Sequence, residues 1–234
     1  MPLTCTSSPV SDPPVWLASW RSLAPAYERR SRQMASECAL RQELIFCLLG
    51  GHGVSFELAR SATDVVLALS PFDRRWPPEV LASTLRSELG APKFDPRRRD
   101  GTLRRYRYPC RKAELITAAV DWSHRVGPMT ESLAAIGCEH ERRNWLCSCP
   151  GLGPKSASWL LRNTGYAEDL AILDVHVLRA MREAGRLDDQ HLPRDYLAIE
   201  RRFLEWCEEL GASAAAFDLF LWEWQRGDVG ASSL

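Results

Sequence analysis

A lysine, an aspartate and a glycine-rich turn, at fixed spacing, carry the chemistry this sequence can do. The run Cys149-Pro150-Gly151-Leu152-Gly153-Pro154-Lys155 sets the lysine directly after a Pro-Gly-x-Gly-Pro turn, and Asp174 follows nineteen positions later. Glycine lacks a Cβ, so Gly151 and Gly153 are expected to take positive φ and let the backbone come close to a ligand. Pro150 and Pro154 restrict the flanking geometry. Pro154 also falls where a first-turn proline is tolerated, with residues 155–162 as the helix. The N–H groups and positive dipole end of such a helix start attract a phosphate. A neutral lysine amine can attack an electrophilic carbon, and a fixed carboxylate can steady a cation formed there.

Lys155 is one of only three lysines, with Lys93 and Lys112, whereas the other twenty-seven basic residues are arginines. Arginine suits phosphate contacts but does not give up its proton, so only a lysine among these can serve as an amine nucleophile. A helix N-terminus and partial burial both favour the neutral amine. The competing reading is a solvated or phosphate-contacting lysine. Asp174 precedes the helical pattern Val175-His176-Val177-Leu178-Arg179-Ala180-Met181-Arg182, at the spacing of an N-cap. Capping and chemistry are compatible, because backbone hydrogen bonds favour an ionised, rigid carboxylate. The apolar segment Leu170-Ala171-Ile172-Leu173 is expected to bury the approach to it.

Residues 139–146 (EHERRNWL) read as a helix before the turn, so that helix, Gly-x-Gly turn and helix form a helix-hairpin-helix at about 139–163; an ordinary helix–helix connection is the alternative. At these residues, and through Leu161-Arg162-Asn163-Thr164-Gly165-Tyr166 and Ala171-Ile172-Leu173-Asp174-Val175-His176-Val177-Leu178, the chain resembles the helix-hairpin-helix-GPD superfamily of DNA glycosylases. Within it, the Leu-Arg-Asn-x-Gly-Tyr stretch resembles the second family of 8-oxoguanine DNA glycosylases, best known from archaea. The motif covers about residues 145–182. Phe217-Asp218-Leu219-Phe220-Leu221-Trp222 is similar to that family's last helix, and residues 38–49 to its first core helix.

The resemblance implies roles. Lys155 matches the lysine that displaces the base and forms a Schiff base with deoxyribose, and Asp174 the aspartate that assists base loss. The backbone at Gly151 and Gly153 matches a phosphate-binding hairpin that often holds a monovalent cation. Leu152, Ser156 and His176 extend the expected DNA-contacting set. Asp218 and Trp222, four apart on one helix face, match residues lining the base pocket. There are departures: Val175 stands where the family usually has arginine, one residue is inserted in the region of Ala167-Glu168-Asp169, and residues 227–234 do not carry the terminal lysine of some relatives. These leave the excised base open.

The implied fold is all-α, a helix-hairpin-helix glycosylase fold of two helical lobes with a DNA-binding cleft, and a length of 234 residues suits one domain or two small lobes. Residues 1–14 read as a flexible N-terminus and 15–234 as the helical domain. Helices are expected near 34–49, 56–69, 78–89, 112–125, 129–136, 139–148, 155–163, 175–184, 194–210 and 213–226, with 91–111 as a long loop. Of eight cysteines only Cys207 follows Asp174, so no iron–sulfur cluster of the superfamily's four-cysteine type is expected, and the thiols read as reduced and mostly buried. Apolar residues make up 45% without reaching membrane length, and a cytoplasmic, nucleoid-associated monomer is expected.

Net charge is zero, but its distribution is uneven. Residues 97–112 hold Arg97, Arg98, Arg99, Arg104, Arg105, Arg107, Arg111 and Lys112 against Asp100 alone, while residues 195–228 hold eight acids against Arg201, Arg202 and Arg226. The basic run, with Arg104 and Arg105 at its centre, either tracks a DNA backbone or is a solvated loop. On this reading the outer face of the last helices points away from DNA. The expected activity is excision of oxidised guanine from double-stranded DNA with strand nicking and without a cofactor. The rivals are the same chemistry on another modified base, base release without a Schiff base, and a non-catalytic helix-hairpin-helix binding module.

Overall fold

Short polar side chains set several helix starts: Ser36, Ser55, Asp174 and Ser213 each accept a backbone N–H from the first turn that follows. The structure, a computed structural model, describes residues 14–28, 33–51, 53–187, 196–227 and 229. Among them are eleven helices: α1 (Val15–Glu28), α2 (Glu37–Leu49), α3 (Phe56–Ala68), α4 (Pro78–Gly90), α5 (Pro109–Val126), α6 (Met129–Ala135), α7 (Glu139–Leu146), α8 (Pro154–Asn163), α9 (Val175–Glu183), α10 (Tyr196–Leu210) and α11 (Ala214–Arg226). The only β pairing among the described residues is one antiparallel bridge, Phe94 with Arg104. The expected loose N-terminus, the first two residues of the expected helix at 194–210, and most of residues 227–234 lie outside the described residues.

The helices fall into two units, Arg32–Leu170 and the pair of segments Met1–Ser31 with Ala171–Leu234. In the first, α2 is apolar on nearly all sides, from Leu44 through Leu49, and forms the centre of the core with Leu85 and Leu89 of α4, Ile116 of α5 and Leu160 and Leu161 of α8. A helix buried all round needs partners on every face. The second unit is held by aromatic rings. Trp20 lies 5.0 Å from Phe217 and 5.3 Å from Phe220, and Phe203 stacks on Phe217 at 5.8 Å. Rings at such separations add to the area they bury.

Several expectations need correction. Helix α1 is absent from the sequence reading, because Pro25 lies inside it and interior proline disfavours a helix. Burial of Trp16, Trp20 and Tyr27, with hydrogen bonds from Trp16 Nε1 to Glu183 at 3.2 Å and from the Tyr27 hydroxyl to Glu223, outweighs that penalty. Helix α5 starts at Pro109 rather than at 112, since proline at the first helical position is already set for the helix. The cysteines also differ: Cys47, Cys149 and Cys207 are buried, Cys147 is intermediate, and Cys38, Cys110 and Cys138 are exposed. Burial pushes the Cys149 thiol up to about 12, which keeps it protonated and unreactive.

Candidate active site

The hairpin is built by a tight turn between α7 and α8. Cys147 closes the end of α7 on the Arg143 carbonyl at 2.9 Å, and Leu152 N–H then donates to the Cys149 carbonyl at 3.1 Å. Gly151 takes φ +90°, as expected. Gly153 does not: it is the N-cap of α8 with φ −111° and ψ 179°, extended backbone open to any residue. The two glycines therefore serve different ends. A Cβ on Gly151 would come within 2.8 Å of Leu48 Cδ2 and 3.4 Å of Leu115, whereas one on Gly153 meets nothing within 4 Å.

This contrast predicts that Gly151→Ala costs about 2–4 kcal/mol, from the left-handed backbone and the clash with buried Leu48. Gly153→Ala should cost less than about 1 kcal/mol. Urea unfolding checks both: the Gly151→Ala midpoint falls at unchanged slope while that of Gly153→Ala barely moves.

Helix α8 carries no side-chain cap hydrogen bond, and its first residue is proline, which has no N–H to satisfy. The next two positions, Lys155 and Ser156, are both partly buried and stand at the positive end of the helix. The Leu152 side chain is buried in the core, so a DNA contact at this position would be made through its backbone. A monovalent cation here would need carbonyl oxygens. Those of Cys149 and Gly153 each already accept one N–H and keep a second lone pair, so the turn offers suitable donors. Among the described residues no cluster of three His, Cys, Asp or Glu side chains could hold a metal.

The loop after α8 is fastened to α7. Glu139 accepts from Glu168 N–H at 2.9 Å and Asp169 N–H at 3.0 Å, and the Arg142 guanidinium donates to the carbonyls of Leu133, Ile136 and Tyr166 at 2.8–2.9 Å. The inserted residue is therefore held in an ordered turn.

Asp174 lies in the other unit and caps α9. Its Oδ1 accepts both His176 N–H at 2.8 Å and Val177 N–H at 2.9 Å. The segment before it is held on both sides of the peptide: Ala171 N–H donates to Glu200 at 3.2 Å and its carbonyl accepts the Tyr196 hydroxyl at 2.8 Å. Ile172 N–H donates to Asp218 Oδ2 at 3.3 Å. Asp218 is 6% exposed, so a carboxylate expected to line a base pocket braces the Asp174 segment. Past the cap, Gln225 donates to the His176 carbonyl at 3.1 Å and its Oε1 lies 3.0 Å from His176 Nδ1. Asp218 and Gln225 are two turns apart on α11 and thus share a face. Between them stands Trp222, partly buried, with the Arg226 guanidinium 4.6 Å from its ring centre. Val175 is 63% exposed beside the cap. Gln225, Tyr196 and Glu200 escape the sequence reading; the seven-residue step from Asp218 to Gln225 is the one available signal.

Of the basic residues expected to meet DNA, Arg105 is exposed and Arg104 is half-buried. Arg104 bonds Phe94 through its backbone, and its Nε is buried with no hydrogen-bond partner among the described residues.

An all-helical chain with an uncapped, lysine-bearing helix after a Gly-x-Gly hairpin, and an aspartate capping the next helix, defines the helix-hairpin-helix class. The family model for 8-oxoguanine DNA glycosylase matches residues 93–212. The chain belongs to this 8-oxoguanine DNA glycosylase family. A relative from Korarchaeum cryptofilum, named 8-oxoguanine DNA glycosylase/AP lyase, is 30% identical over 212 residues, which cover 86% of this chain and 88% of that protein. A Thermotoga petrophila protein of the same name is 38% identical over 130 residues, and there the match spans 53% of this chain and 59% of the relative's length. The crystal structure of the 8-oxoguanine DNA glycosylase of Thermotoga maritima superposes with a TM-score of 0.58 at 29% identity, covering 90% of this chain and 88% of that one.

Proposed function

We propose that this protein is a bifunctional DNA glycosylase/AP lyase that excises oxidised guanine from duplex DNA and nicks the strand. The observation that carries the reading is Lys155 at the second position of α8, directly after the Gly151-Leu152-Gly153 turn, in a chain of this family. The turn binds a phosphate at the positive end of the helix, and the open space over Gly153 lets it come close. The target base is turned out of the stack, and Trp222 offers a ring to pack on it.

Lys155, as a neutral amine, attacks C1′ of the deoxyribose while the bond from C1′ to the base nitrogen breaks. The electron pair leaves with the base, which takes up a proton. The Asp174 carboxylate balances the positive charge that develops on the sugar. The ring then opens to an iminium joining C1′ to Lys155 Nζ. Loss of a C2′ proton drives elimination of the 3′ phosphate and breaks the strand. These steps use the chain's own groups and no cofactor. Asp218 and Gln225 act through Asp174 by fixing the backbone on either side of it. The protein works on this reading as a monomer on cytoplasmic DNA.

Sodium borohydride tests the proposal, since hydride converts the iminium into a stable amine. A duplex with one 8-oxoguanine should yield a covalent protein–DNA adduct on a denaturing gel, and undamaged duplex should not. Release of the base without any adduct would remove the lyase step, and no release from any modified duplex would leave a DNA-binding protein.

A further inference from the structure

The basic segment between α4 and α5 is a built arm. Phe94 and Arg104 exchange both backbone hydrogen bonds, at 3.0 and 2.9 Å. At the tip, Arg98 N–H donates to the Thr102 carbonyl at 2.8 Å and Gly101 N–H to the Arg98 carbonyl at 2.9 Å. One of the arm's two acids, Asp100, accepts the N–H and hydroxyl of Thr102 at 2.9 and 2.6 Å, which together with nearby Arg98 hold its carboxyl below the usual range. Phe94 and Tyr106 anchor the arm in the core with their rings 6.4 Å apart.

This scaffold presents Arg97, Arg98, Arg99, Arg105 and Arg107, and the start of α5 adds Arg111, all six exposed. Among the described residues none of the six has a carboxylate within 4.0 Å, whereas Lys93 and Arg86 nearby do pair, with Glu88 and Glu114. Like charges on a folded arm repel one another, and a polyanion relieves that repulsion. The choice of arginine matters, because its planar fork grips phosphate oxygens bidentately.

The arm is rooted where the hairpin turn also rests. Lys112 donates to the carbonyls of Leu48 and, at 3.0 Å, of Gly50; the Tyr106 hydroxyl donates to the Leu49 carbonyl; and Arg107 donates to the Gly53 carbonyl at 3.3 Å. Gly151 of the turn lies directly over the Leu48 side chain. One helix end, that of α2, thus supports both the arm and the phosphate-binding turn.

We propose that the arm of residues 94–108 is a second DNA-backbone grip. It holds phosphates of duplex DNA independently of the damaged base, and it supplies most of the salt-sensitive, sequence-blind affinity. The proposal takes duplex DNA from the function proposed above, but its test needs no catalysis. Binding of the full chain to undamaged duplex is measured by fluorescence anisotropy from 50 to 200 mM salt. Every phosphate that an arginine no longer neutralises lowers the salt slope of log K by about 0.9. The variant R98Q/R99Q/R105Q should therefore lower the slope by roughly 2–3 and weaken binding on the order of 100-fold at 0.1 M salt. Its charge-keeping counterpart R98K/R99K/R105K should recover most of the slope. An unchanged slope in the glutamine variant overturns the proposal, and so does a lysine variant as weak as the glutamine one, which would assign the loss to packing. A loss confined to a single-stranded oligonucleotide of equal length would overturn the duplex assignment. If the trapping experiment fails while this slope change is found, the arm stands and the chemistry falls.

Discussion

Lys155→Gln should abolish the borohydride-trapped adduct and slow base release by roughly four orders of magnitude, while DNA binding falls no more than about tenfold. On the proposed mechanism Lys155 forms the only covalent link between protein and sugar, so its loss removes the reaction path. Glutamine keeps much of the length and the polarity of the side chain at a partly buried position, and Pro154 and Gly153 still set the helix start. The binding loss is small because one cation is removed from a chain whose basic residues are almost all arginine; one neutralised phosphate at 0.1 M salt is worth about tenfold at most. Single-turnover rates on an 8-oxoguanine duplex and anisotropy on the same duplex separate the two effects. An adduct that survives the substitution would move the nucleophile to Lys93 or Lys112. Lys93 pairs with Glu88 and Lys112 donates to the Leu48 and Gly50 carbonyls, and a glutamine variant of each would then decide between them.

The parts of the site that the sequence reveals are those made by neighbours in the chain. A proline at the first helical position and an aspartate before an apolar-periodic run act within a few residues, so the start of α8 and the Asp174 cap are legible. What supports them is not. Tyr196, Glu200, Asp218 and Gln225 reach the Asp174 segment from 25 to 49 residues away, and no local pattern marks a glutamine as the partner of a distant histidine. Gly153 misleads for a related reason: its glycine has no backbone cause, as its extended φ of −111° and the open space beside it show. Helix α1 fails in the other direction, because Pro25 argues locally against a helix that the core of Trp16, Trp20 and Tyr27 requires. The arm of residues 94–108 reads as a loop because one bridge and a few turn bonds hold it, and neither leaves a periodic signature.

On the proposed mechanism Asp174 has two duties, and two substitutions should pull them apart. Asparagine caps a helix about as well as aspartate. Asp174→Asn should therefore keep the bonds to His176 and Val177 N–H and leave the unfolding midpoint nearly unchanged. Alanine cannot accept those bonds, and Asp174→Ala should lose about 1 kcal/mol of stability. Both remove the negative charge, so both should slow base release by roughly 10²- to 10⁴-fold. A further contrast comes from DNA that already contains an abasic site. There the base has gone and the sugar offers an aldehyde, so Lys155 can form the iminium without a carboxylate to steady a departing base. Asp174→Asn should consequently trap on abasic duplex at a rate within about tenfold of the unaltered protein, while Lys155→Gln traps on neither substrate. Equal loss on both substrates by Asp174→Asn would mean that the carboxylate serves the lysine itself. Base release unaffected by Asp174→Asn would leave Asp174 with only its cap, since that substitution preserves the fold and removes nothing but charge.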